Sequence, residues 1–195
     1  KALRELEVGL SAPGGRNEGR NDAGQVRDVL RKDAIVAFTG VGDDELLRGS
    51  FALERPMEVE VYALGEAERR ETYDGGWIED VDRGERVWEL DYRHSRGAGG
   101  AKKNRMTRET LRLDAGNYAV FYATDDSHSW PHFNQRPPRD PMAWGLAIRP
   151  VDPADAAHVS TFDYEDPLDR NVIVSLVRVR DDEHASEGFT LDAPL

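Results

Sequence analysis

ETLRLDAGNYAVFYATDDSHSWPH, residues Glu109 to His132, carries two strand signals and a polar segment in direct succession. Leu111 and Leu113 alternate with polar residues, the spacing of a half-buried strand, and Tyr118 to Ala123 is a run of aromatic and β-forming residues. Between them, Asp114-Ala115-Gly116-Asn117 supplies turn chemistry, so the stretch predicts a β-hairpin. The second strand opens into Asp125-Asp126-Ser127-His128-Ser129-Trp130-Pro131-His132, the densest gathering of chemically able side chains in the chain. A functional site is expected there first.

The same two-residue period recurs on both sides of this stretch. Val59, Val61 and Ala63 face one way while Glu58, Glu60 and Tyr62 face the other, predicting a strand with one buried and one solvated side. Trp77-Ile78 and Val87 to Tyr92 flank Asp82-Arg83-Gly84 and read as a second hairpin. Ala34 to Phe38, Phe51 with Leu53, and Trp144, Leu146 and Ile148 give further strands. Helical spacing is confined to Gln25 to Lys32 and to a short start at Asp152-Pro153. Leu6, Val8 and Leu10 fit a strand, and Ser11 to Gly24 has loop composition. The expected fold is an all-β antiparallel β-sandwich, jelly-roll-like, with at most short helices. Leu53, Val59, Val61, Leu111, Leu113, Val120, Leu146 and Ile148 are expected in its core.

Composition narrows the function classes. A chain of 195 residues buries enough surface for a core without metal or disulfide staples. A formal charge of −12 excludes non-specific nucleic-acid binding, which needs a basic face. The absence of cysteine removes disulfides, thiolate metal sites and cysteine nucleophiles. No apolar run approaches the roughly 20 residues of a spanning helix, so no membrane span is expected. Lys1, where an initiator Met would stand, is read as a processed or trimmed N-terminus.

An internal repeat organises the chain. Ile35, Val36, Val41, Asp43, Asp44, Glu45, Phe51, Leu53 and Pro56 recur as Ile173, Val174, Val179, Asp181, Asp182, Glu183, Phe189, Leu191 and Pro194, all at one spacing and without a gap. Chance identities scatter over many spacings, so this is duplication. The reading divides the chain into an N-terminal extension over 1–32, a sandwich module over 33–170, and a partial second copy over 171–195.

Phe51-Ala-Leu53 ahead of Val59-Glu-Val61-Tyr62, with Leu111-Arg-Leu113-Asp-Ala-Gly116-Asn-Tyr118-Ala-Val120 later, resembles bacterial pre-peptidase C-terminal-type β-sandwich modules. Tyr73 to Trp77, Gly99 to Arg105 and Thr124 to Ser129 also resemble a second, uncharacterised family of bacterial modules. The resemblance implies an accessory, non-catalytic domain of an exported protein, located outside the cell, in the periplasm or in the envelope. Neighbouring modules of the same protein, or another protein, are the implied partners.

Three constellations carry candidate chemistry. Asp125, Asp126, His128, Trp130 and His132 form the candidate ligand-binding loop for carbohydrate or metal. His128, His132 and Asp126 offer nitrogen and oxygen ligands to a divalent metal, but no other cofactor is suggested. Pro131 between the histidines rules out a shared helix face, and the bland alternative is a capping loop whose Asp and Ser side chains bond to the backbone. Asp126-Ser127-His128 lacks the Gly-x-Ser-x-Gly elbow of a nucleophile, and no complete catalytic set appears, so an enzyme is not expected. Arg93, Arg96, Lys102, Lys103, Arg105 and Arg108 occur without an intervening acid and form a basic patch, either a solvated loop or a dock for an acidic surface. Trp77, Trp88, Trp130 and Trp144, with Tyr62, Tyr73 and Tyr92, are either core or a stacking platform for a sugar.

The partial copy generates a first prediction. Its apolar positions, including Ile173, Val179 and Phe189, need a sheet to enter, because exposed strand edges are avoided by soluble proteins. Docking within its own chain is expected, since an intramolecular strand has a high effective concentration. Deleting residues 171–195 should then leave a monomer by sedimentation; a dimer that this deletion dissolves would show donation to another chain instead.

Overall fold

In the computed structural model, residues 22–165 and positions 186, 188 and 190 are described. Residues 1–10 and 173–194, expected as a strand and as the repeated strand pair, lie outside the described residues apart from those isolated positions.

Strand β3 (Met57–Glu68) is the spine of one sheet, and its alternation decides which side is buried. Val59, Val61 and Ala63 are fully buried on the inner face, while Glu58 is exposed on the other. On each flank β3 pairs antiparallel with a partner, β7 (Asn104–Leu113) in full register and β9 (Gly145–Pro150). Beyond β9 lies β1 (Val36–Thr39), and beyond β7 the two-residue β6 (Arg96–Gly97). The opposing sheet contains β8 (Gly116–Ala123) between β2 (Leu46–Leu53) and β4 (Glu71–Asp80). β5 (Glu85–Glu89) extends it on one side and β10 (Val159–Thr161) on the other. The sheets therefore run β1-β9-β3-β7 and β2-β8-β4-β5, joined where the ends of β3 and β4 pair. Consecutive strands alternate between sheets except at the β4–β5 and β6–β7 pairs, and the resulting strand order is that of a jelly roll.

The sheets meet through large side chains. Trp144, Tyr118, Tyr122, Phe51, Ile78, Leu146 and Ile148 are all essentially inaccessible to solvent. Each fully buried aliphatic or aromatic side chain contributes about 1.5–3 kcal/mol. Of the core expected from sequence, only Leu111 is partly buried rather than buried. The Tyr122 hydroxyl crosses the sandwich to donate to the Leu64 carbonyl at 2.6 Å. Gly76 permits this closeness, because a Cβ there would come within 2.6 Å of Leu146 Cδ1 from the facing sheet.

Among the described residues, helical structure is limited to α1 (Asp22–Arg31) and two short 3-10 segments, Pro141–Ala143 and Pro153–His158. α1 begins inside the stretch expected to be loop, three residues before Gln25. Asp152 caps the second 3-10 segment as its sequence predicts, accepting from Ala154 N–H at 2.9 Å. Among the described residues no helix is long and apolar enough to cross a membrane.

Three expectations are corrected. β7 and β8 do not pair with each other, so the Asp114–Asn117 turn is a corner between sheets and not a hairpin. The corner is fixed by the Tyr118 hydroxyl donating to the Asp114 carbonyl at 3.0 Å and by Asn117, whose backbone and side-chain N–H groups both reach Asp82 at 2.9 Å. Tyr62, expected on a solvated side, is buried. Gly97 to Lys103, inside the basic patch for which a solvated loop was one expectation, is seated against the 136–139 segment: Ala101 N–H donates to the Arg136 carbonyl and Arg139 N–H to the Ala98 carbonyl. Gly100 has φ +69 and lies so close to the Pro137 carbonyl that no side chain fits. By contrast, the Asp82-Arg83-Gly84 hairpin forms as expected, with Gly84 at φ +67 and its N–H on the Asp80 carbonyl.

Replacing Tyr122 by Phe removes the cross-sheet hydroxyl and leaves the buried Leu64 carbonyl without that partner. A loss of about 1–3 kcal/mol is expected in urea unfolding, with an unchanged m value.

Candidate functional site

The segment after β8 crosses one end of the sandwich and returns to β9, and its polar side chains turn inward. Ser129 donates both its backbone N–H and its hydroxyl to Asp43 Oδ1, at 3.1 and 2.5 Å. Trp130 N–H reaches the Val41 carbonyl, and Asp44 N–H reaches the Asp125 carbonyl. Thr124 Oγ1 bridges the Gly42 carbonyl and Glu45 N–H, at 2.7 and 2.9 Å. The β1–β2 connection, residues 40–45, is thus a receptor for the loop.

His128 is the plug. It is fully buried, adopts φ +65, and lies edge-on to Phe133 and Trp144. A left-handed backbone is unfavourable for a residue with a Cβ and persists only where its surroundings over-determine it. Asn104 shows what does so here. Its amide NH2 is committed to the Gly99 and Arg136 carbonyls, at 2.8 and 3.0 Å, so its oxygen faces His128 Nε2 at 2.6 Å. Nε2 must therefore carry the ring proton. Nδ1 is left as an acceptor for Gln135 N–H at 3.3 Å, and Asn134 Oδ1, 2.8 Å away, requires the Asn134 amide to be turned so that its NH2 faces the ring. Burial, reinforced by the charge of Lys103, holds the His128 pKa below its ordinary value and keeps the ring neutral.

Beneath the plug lie two buried acids that sequence reasoning missed. Asp74 accepts from Trp144 Nε1 at 3.0 Å and from Asp125 N–H at 2.9 Å, yet is wholly shielded from solvent. Burial outweighs both hydrogen bonds and pushes its pKa up to about 8. Glu66, opposite Asp74 in the β3–β4 pairing, is raised by burial in the same way, partly offset by Lys103 Nζ at 2.9 Å. One signal for this cluster was present in the sequence: Asp74 precedes Gly75-Gly76 inside a strand, and glycines there mark close approach.

The candidate residues do not converge on one ligand. His128 has both nitrogens engaged, His132 and Asp126 are exposed, and Asp125 uses its carboxylate to accept from Ser127 N–H at 3.0 Å. Among the described residues no group of three or more His, Asp or Glu is arranged to hold a metal ion. Trp130 is half-buried against Gly40. Of the remaining aromatics, Trp144, Trp88 and Tyr62 are buried, Trp77 is stacked on Phe121 with Arg86 over its ring, Arg105 covers Tyr92, and Tyr73 is exposed and shares a small pocket with Trp77. No family model matches the chain. No curated protein and no solved structure matches it either.

The basic patch divides in two. Lys103 is spent on Glu66, Arg105 on the Tyr92 and Ser95 carbonyls, and Arg108 on Glu60 at 3.0 Å. Arg93, Arg96 and Lys102 stay exposed. Arg93, Arg96 and Arg108 line an open groove of about 750 Å³ beside β7, with Glu60 and Glu109 as its acids.

Asp74 yields a pH prediction. Its folded pKa is raised above the ordinary carboxylate value, so its contribution is complete in acid and is lost as pH rises through about 8. His128 works in the opposite sense: it favours the fold above its ordinary range, and that favour is lost as pH falls. Melting temperature should decline from weakly acidic pH toward pH about 8, and Asp74→Asn should remove that decline whatever its absolute stability. An unaltered slope in Asp74→Asn would refute the assignment.

Proposed function

We propose that this chain is a non-catalytic jelly-roll module that works by binding a partner protein, as one module of a larger exported protein. The observation that carries the reading is the consumption of reactive side chains at the closed end. His128, Ser129, Asp43 and Asp74 all engage in internal bonds, and none of them lines the open grooves along the described residues. A catalytic centre needs a general acid or base within reach of substrate, and a metal centre needs several ligands converging on one point. The buried side chains of the loop are out of reach, and the exposed Asp126 and His132 join no group of three His, Asp or Glu able to hold a metal among the described residues. Placement in an exported bacterial protein follows from the family resemblance alone, and neighbouring modules are natural partners under it.

The test separates closure from chemistry. His128→Ala and Asp43→Ala should each lower stability by about 1–3 kcal/mol, because each strands buried polar partners. Zinc or calcium added to the wild-type chain should leave its melting temperature unchanged. A stoichiometric metal that survives dialysis, and is lost in His128→Ala and His132→Ala, would overturn the reading.

A further inference from the structure

The free edge of β7 offers a specific binding mode. Antiparallel strands direct the N–H and C=O of alternate residues to opposite sides. The Lys103 carbonyl, just before β7, accepts from Ala67 on the β3 side, whereas the Asn104 carbonyl accepts from Ala98 on the β6 side. Even-numbered residues of β7 therefore present their backbone away from β3. β6 covers that side only at Arg105 and Met106, and among the described residues no strand pairs there further along. The backbone groups of Arg108, Thr110 and Arg112 thus form an open ladder, and all three residues are exposed.

The side chains around this ladder are mostly cationic, with Glu58 opposite Arg112 and Glu60 opposite Thr110 on β3 as the acids of the same face. Alternation puts Arg108, Thr110 and Arg112 on the outer face, with Arg93 and Arg96 across the groove from Arg108 and Thr110. Glu60 on the same face is neutralised twice, by Arg108 and by Arg149 at 2.6 Å. Glu109, which also lines the groove, is engaged by Trp88 Nε1, which donates to it. In a chain of net charge −12, an arginine row beside an unpaired strand edge stands out.

We propose that the β7 edge accepts an extended acidic segment of a partner protein by strand addition, a mode that deepens the binding-module reading and rests on it. Main-chain bonds to Arg108, Thr110 and Arg112 supply the docking, and side-chain alternation supplies selectivity. Acidic residues at every second position of the guest meet the arginine row. The residues between them lean toward Glu109, so uncharged β-formers such as Thr or Val are favoured there.

The probe is a blocked peptide alternating Glu and Thr, titrated into the full chain by calorimetry at low salt. It should bind, weaken with added salt, and slow amide exchange at Arg108, Thr110 and Arg112. The paired variant Arg93→Glu with Arg112→Glu should weaken it at least tenfold while keeping the melting temperature. Thr110→Pro, which removes an edge donor without touching the β3 ladder, should weaken it as well. No binding, equal binding of a Lys-Thr peptide, or equal binding of a backbone N-methylated Glu-Thr peptide would overturn the proposal. The first result would make the arginines guards against edge aggregation. Those outcomes bear on the edge alone, because the binding-module reading is challenged separately by the metal measurement at the closed end.

Discussion

The hydrogen bond from Trp144 to Asp74 is the constraint on which the closed end of the molecule depends. A jelly roll has two open ends, and covering one with a loop drives polar backbone and side chains out of water. Each such group must find a partner or cost about 1–3 kcal/mol. Here the partners are arranged in tiers. Trp144 and the Asp125 N–H satisfy Asp74, His128 packs edge-on against Trp144, and Asn104 locks the His128 ring in one tautomer. Removing any tier strands the next, which explains how a non-glycine residue is held at φ +65. The arrangement also fixes where solvent stops, and so which side chains are free to meet another molecule.

That tiering gives physical meaning to the internal repeat. Of the nine shared identities, Val41, Asp43, Asp44 and Glu45 are the residues that touch the closing loop in the module. Phe51 and Leu53 are core, with Phe51 stacked on Tyr118 at 5.3 Å. The repeated positions therefore fall in two groups, the apolar residues that join the sheets and the polar residues that receive a loop, whereas positions between them, such as Arg48 and Glu54, are not repeated.

Much of the sandwich was legible because period-2 alternation reports burial directly at the start of β3 and in β7, whereas the rest of β3 and β9 are buried on both faces. The corner at Asp114–Asn117 was misread as a hairpin because turn chemistry is the same whether a chain returns to its own sheet or crosses to the facing one. Only partner strands distinguish the two, and they lie far away: β7 pairs with β3 and β8 with β2 and β4. The 125–132 loop was correctly placed as the richest polar segment, but the direction of its side chains was not legible. Beyond the Gly75-Gly76 signal, the burial of Asp74, Glu66 and Asn104 was not legible, because the loop that covers them comes from elsewhere in the chain. The basic patch was visible as a run of cations, yet its division into buried struts and exposed arginines follows from which face of β7 each residue occupies.

Charge placement ties these threads together. Lys103 reaches a nearly buried carboxylate, where an ion pair must offset the desolvation of both partners, and it serves the closed end. Arg108 and Arg149 hold Glu60 on a half-exposed face, where such pairs contribute little to stability but orient their side chains. Arg93 and Arg96 gain nothing for the fold in this way. Within the basic patch, the cations that stabilise are thus drawn to paired acids, and Arg93 and Arg96 lie along the β7 flank whose backbone is also unpaired. In a strongly acidic chain, that coincidence of unpaired hydrogen-bonding groups and positive charge is what the proposed strand-addition edge rests on.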